Sequence, residues 1–197
     1  MKNKYRLRRV ASVFAVLLLV FGLTSCHRDD DEADDLPQED MTNLILKVTD
    51  DTGKAESYNF LLGSATFPTI KLVDGKTYTV EAQFMNGTDD VTGEIKEAKD
   101  NHFLIFNFPN SKIDVERLDG DDSTTATHKV GLKTKWTVNK VNNSSNAAAL
   151  VLTLKHAEQK EDLQPNEAAV TSTNGIQWGT AGAKAEDDAV ANFGLSN

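Results

Sequence analysis

Few residues in this chain have side chains suited to chemistry: four histidines (His27, His102, His128 and His156), one cysteine (Cys26), two tryptophans (Trp136 and Trp178) and several acidic runs. The histidines are too scattered for a local metal motif, but paired strands can assemble a site from distant positions. His102 stands at the head of one apolar run and His156 at the tail of another, so antiparallel pairing with aligned ends would make them neighbours. With Asp100 or Glu158 beside them, two imidazoles offer ligands to Zn²⁺ or a similar ion. Two strand-end histidines facing water are the plainer alternative. Asp119, Gly120, Asp121 and Asp122 crowd carboxylates together without the spacing or the distal Glu of an EF-hand, which reads as a solvated loop. Trp136 falls on the apolar side of an alternating run and reads as core, whereas Trp178, in a polar stretch, is the better contact residue, for a sugar among other partners. The chain has no Gly-rich phosphate loop, nucleophile elbow, paired metal-binding cysteines or HExxH. The expectation is a protein that is not an enzyme and has no cofactor apart from a covalent lipid.

The elements that would position these groups are strands. From Met41 onward apolar and polar residues alternate, the period of a half-buried strand. Leu44, Leu46 and Val48 precede a turn at Asp50, Asp51, Thr52 and Gly53; Tyr58, Phe60 and Leu62 follow. Ile70 and Leu72 lead through Asp74 and Gly75 into Tyr78, Val80, Ala82 and Phe84, and Asn86 with Gly87 ends that run. Residues 102–108 are apolar on both faces, as in a central strand covered from both sides. A shorter strand fits residues 113–118. Val130, Leu132, Thr134, Trp136 and Val138 alternate with a lysine-rich solvent face, Leu150, Leu152 and Leu154 repeat the pattern, and a weaker last strand fits residues 189–195. Only residues 91–99 permit a helix, of one turn at most. The reading is an all-β fold, a single β-sandwich of about seven or eight strands over residues 42–197.

The first 25 residues have a different grammar. Lys2, Lys4, Arg6, Arg8 and Arg9 precede an apolar run over residues 10–22, the order of a secretory signal peptide. The run is shorter than the roughly 20 residues that span a bilayer core of about 30 Å. Leu23, Thr24, Ser25 and Cys26 then resemble the lipobox of bacterial lipoproteins, in which the cysteine is diacylated and becomes the mature N-terminus. A single cysteine forms no intramolecular disulfide, and the position of Cys26 selects modification. Two or more acyl chains on one residue, each CH₂ worth about 0.8 kcal/mol, make a stable membrane anchor. Cleavage leaves 16 Lys and Arg against 30 Asp and Glu, a net charge of −14, which repels nucleic acid and anionic headgroups. Much of that charge lies in residues 26–41, which read as an acidic disordered tether. A cysteine followed closely by acidic residues is similar to the signal that sends Bacteroidetes lipoproteins to the outer face of the outer membrane. A solvated linker on the periplasmic face is the alternative.

Three further resemblances bear on the domain. Leu72, Asp74, Gly75, Tyr78 and Val80 resemble the tyrosine corner of immunoglobulin-like domains, where the hydroxyl returns to backbone upstream, so the resemblance implies a single immunoglobulin-like β-sandwich. Asp122, Ser123 and Thr124 resemble the O-glycosylation acceptor of Bacteroidetes, with Ser123 as the acceptor. Residues 72–84, the stretch 94–108 with Asn101, His102, Phe103, Leu104, Ile105 and Phe106, and the stretch 149–162 with Leu154, Lys155, His156 and Lys160 are similar to a family of small Bacteroidetes outer-membrane lipoproteins. These are often labelled hypothetical or type 1 periplasmic binding fold proteins, a label whose α/β implication the alternating pattern contradicts. The similarity covers most of residues 41–195. The chain departs from it where Ala157 and Glu158 replace Gln and Pro, and in a longer, more polar stretch over 164–182.

Members of that family are commonly encoded beside TonB-dependent receptors, so the resemblance implies an accessory role in nutrient uptake with such a receptor as partner. A structural or adhesive surface lipoprotein that binds glycan or host protein is the second class.

Overall fold

The computed structural model describes residues 41–119, 128–142 and 148–197, and these form two packed β-sheets. Twelve strands occur among the described residues, more than the alternation predicts: β1 (Asn43–Thr49), β2 (Ala55–Leu61), β3 (Thr69–Lys71), β4 (Thr77–Asn86), β5 (Asp89–Asp90), β6 (His102–Phe108), β7 (Lys112–Arg117), β8 (Lys133–Lys140), β9 (Leu150–His156), β10 (Asn166–Thr171), β11 (Ile176–Thr180) and β12 (Glu186–Ser196). Two short helices, α1 (Thr92–Glu97) and α2 (Lys160–Leu163), join them. The first sheet runs β2-β1-β4-β8-β7, with β5 against the end of β4; the second runs β10-β11-β6-β9-β12-β3. Neighbours are antiparallel except β12 and β3, which are parallel. Among the described residues no helix is long and apolar enough to cross a membrane.

The alternating residues supply the core. Leu44, Leu46, Val80, Phe84, Trp136 and Val138 of the first sheet meet Leu104, Phe106, Phe108, Leu152, Leu154 and Phe193 of the second, all buried. Trp136 packs edge-on against Phe106 and Phe108, with ring centroids 6.2 and 5.4 Å apart, as its place on the apolar side of its run predicts. Burying each such side chain contributes about 1.5 to 3 kcal/mol. β6 is buried on both faces: Phe103 and Ile105 point away from the main core and form a second cluster with Ala157, Leu163 and Ala185. The connection through α2 therefore caps the outer face of the second sheet.

The tyrosine corner is present, for the Tyr78 hydroxyl accepts the N–H of Val73 at 3.0 Å. The lysine-rich face of β8 is an interleaved charge ladder. Lys47 and Lys133 flank Glu81 at 3.1 and 3.3 Å, and Lys135 pairs with Glu116. The Lys47 hydrogen bond lowers the pKa of Glu81, Lys135 that of Glu116 and Lys140 that of Asp74. A carboxylate whose folded pKa is depressed adds stability above its unfolded pKa and loses it as pH falls through the folded value. The melting temperature should hold from neutral pH to about 4.5 and fall below about pH 4, the unfolded carboxylate range. A pH series of thermal melts checks this, and a fall that begins above pH 6 would refute it.

Candidate functional site

The strand register places His102 directly opposite His156. They stand at the head of β6 and the tail of β9, as the sequence predicts, and their rings stack with centroids 4.9 Å apart and planes 25° from parallel. The carboxylate that meets them is neither Asp100 nor Glu158. It is Asp188 of β12, whose Oδ2 lies 3.4 Å from His102 Nε2 and whose Oδ1 lies 3.8 Å from His156 Nδ1. Asp188 reaches inward because β12 carries a bulge there: Asp187 pairs with Lys155 and Ala189 with Leu154, which leaves Asp188 as the extra residue. Side-chain exposure is 1% for His102, 5% for Asp188 and 18% for His156, so two members are sealed and one opens to solvent.

Hydrogen-bond accounting fixes the orientation of His102. Its Nδ1 lies 3.0 Å from the Ala98 carbonyl just after α1, and a carbonyl only accepts, so Nδ1 carries a proton and Nε2 is presented to Asp188. When Nε2 is protonated as well, ring and carboxylate form a buried ion pair. His128 joins the same end of the sandwich: its Nε2 meets the His102 carbonyl at 3.0 Å and its ring packs edge-on against Phe103. Three of the four histidines thus converge on the first residue of β6, while His27 lies outside the described residues.

The two rings are stacked rather than fanned toward a common point. A ligated imidazole keeps its ion close to the ring plane, and two nearly parallel rings 4.9 Å apart cannot both aim in-plane lone pairs at one ion. Among the described residues no group of three or more His, Cys, Asp and Glu is arranged to hold a metal.

The remaining candidates sort plainly. Asp119 accepts the backbone N–H groups of Gly131 and Leu132 at 2.6 and 3.0 Å, so it ties β7 to the approach to β8; Gly120, Asp121, Asp122 and Ser123 lie outside the described residues. Leu23, Thr24, Ser25 and Cys26 lie outside them too. Trp178, expected as a contact residue, packs half-buried against the core and donates its indole N–H to the Ile113 carbonyl at 2.9 Å. Its place inside a strand pair that the polar sequence hides explains the difference.

Sequence reasoning missed Arg117. It ends β7 pointing inward and is 5% exposed. Its guanidinium lies 4.2 Å from the Phe103 ring centroid and 5.4 Å from that of Phe106, and it donates to the Val130 and Leu104 carbonyls. Burial pushes its pKa down to about 10, against the opposing pull of Glu167 and Asp119. The alternating apolar positions Ile113 and Val115 were the available signal, since they put Arg117 on the core face.

Compared with protein-family models, with curated proteins and with solved structures, the chain matches none.

Proposed function

We propose that this chain is a lipid-anchored protein of a bacterial outer membrane whose sandwich acts as a binding or accessory module, in the setting of TonB-dependent nutrient uptake. The observation that carries the reading is Cys26, the lone cysteine, placed after a basic and then apolar leader and followed within a few residues by an acidic run. A thiol in that position is the substrate of a lipid-transferring enzyme. The domain suits the role: its buried groups are tied into the fold at His102, Asp188 and Arg117, and sandwiches serve as binding scaffolds, an argument by analogy.

The test uses the full chain expressed in a diderm host and labelled with an alkyne-bearing palmitate. The expected product begins at Cys26, carries label and sediments with outer membranes, whereas Cys26→Ser is unlabelled and leaves the membrane fraction. An uncleaved, unmodified N-terminus would refute the anchor. Protease shaving of intact cells reads which face the domain occupies. Crosslinking followed by purification from membranes should recover a TonB-dependent receptor. Recovery of none, together with loss of adhesion in a deletion strain, would favour the structural or adhesive role.

A further inference from the structure

A cavity of about 210 Å³ opens between the sheets at the end marked by the β1–β2 turn. Its walls come from the inner face of the first sheet, where Val48, Tyr58 and Tyr78 end their alternating runs, and from Lys71, the last residue of β3 in the second sheet. The volume is below the 300 to 1,000 Å³ typical of sites for drug-sized molecules, so it admits a single ring.

Its polar groups are partly committed. The Tyr58 hydroxyl donates to Glu56 at 2.8 Å and accepts the Lys71 N–H at 3.3 Å, and Lys54 closes on Glu56 at 2.7 Å. Asp50 spends Oδ1 on Thr52 and on the Lys54 backbone. Three groups remain. Tyr78 is 8% exposed, and its hydroxyl accepts from Val73, yet no acceptor among the described residues takes its own proton. Lys71 Nζ has no ion-pair or hydrogen-bond partner there, and Asp50 keeps Oδ2. A buried hydroxyl proton needs an oxygen to receive it. The cavity thus offers two donors, one acceptor and an aromatic face, with two lysines balanced by two carboxylates, so it has no net charge to select an ion.

We infer that this cavity binds one ring of a neutral carbohydrate. Sugar hydroxyls both donate and accept, as Tyr78, Lys71 and Asp50 together require, and the apolar face of a pyranose suits the Tyr58 ring. The open mouth lets the rest of a glycan run into solvent. The site does not depend on the anchor, so the fate of the Cys26→Ser variant is a separate readout.

The chain has three tyrosines, Tyr5, Tyr58 and Tyr78, so full-length protein made with 3-fluorotyrosine reports on the cavity by ¹⁹F NMR, with Tyr58→Phe assigning its own signal. The probes are methyl glycosides of glucose, galactose, mannose and N-acetylglucosamine, with acetate and phosphate as anions. At least one glycoside should move the Tyr58 and Tyr78 resonances saturably in the millimolar range. Tyr78→Phe should weaken that binding roughly tenfold, the worth of one hydrogen bond. Lys71→Ala, at an exposed position, should weaken it without disturbing the fold. No shift with any glycoside would mean the cavity holds solvent only and would overturn the inference. So would an equal response to acetate or phosphate, or glycoside binding unchanged in Lys71→Ala and Tyr78→Phe.

Discussion

Replacing Asp188 with Ala should destabilise the fold by about 1 to 3 kcal/mol, the cost of leaving a buried polar partner unsatisfied. His102 is sealed, its Nδ1 is spent on the Ala98 carbonyl, and Asp188 is the acceptor offered to Nε2. At 3.4 Å the contact is longer than a good charge-assisted hydrogen bond, so its worth lies in giving a sealed ring nitrogen a polar neighbour inside a low-dielectric site. For a domain of this size the loss corresponds to a fall in Tm of roughly 5 °C, read by calorimetry. His156→Ala should cost less than half as much, because His156 is the solvent-facing member and leaves the His102 contact intact. In a His102→Phe background, Asp188→Ala should cost much less than in the wild type, since there is no longer a ring nitrogen to compensate. If Asp188→Ala is neutral or stabilising in the wild-type chain, Asp188 is not the group that satisfies the buried His102 ring.

The legibility of this site divides along a physical line. The pairing of His102 with His156 follows from two facts visible in sequence, that each ends an apolar run and that antiparallel strands with aligned ends bring such residues together. The third member is invisible because it depends on a bulge. Without the extra residue at Asp188, Asp187 would hold the inward position, and alternation has no way to register a slip by one. β10 and β11 escape for another reason. Asn166–Thr171 is exposed along its whole length, so no buried face imposes a period on its composition. The strands with one buried face, β1, β4, β8 and β9, are the ones whose core residues the alternation names correctly.

Arg117 shows how much a single unexpected polar residue can carry, and Arg117→Ala should cost about 3 to 5 kcal/mol, as for other large buried truncations. Two things are lost together. The alkyl stem and guanidinium fill the space between Phe103 and Phe106, and the fork ties the Val130 and Leu104 carbonyls across the gap between sheets. The slot is built around this side chain: Gly131 has φ +101°, and a Cβ there would collide with the guanidinium, while one on Gly179 would press on Phe103 at 2.8 Å. The charge itself adds no stability at neutral pH. Its pKa of about 10, well below the usual guanidinium range, means that folding disfavours the protonated form by roughly 3 kcal/mol. An uncharged side chain of similar length is therefore the informative replacement. Arg117→Met should retain the packing and shed the desolvation cost, and so stay within about 1 kcal/mol of the wild type. Arg117→Lys keeps a charge but loses the planar fork that reaches two carbonyls and stacks on Phe103, and it should fall between the two. Urea unfolding of the three variants orders them, with Met above Lys above Ala. If Lys proves more stable than Met, the cation itself is what the site requires, and the packing argument fails.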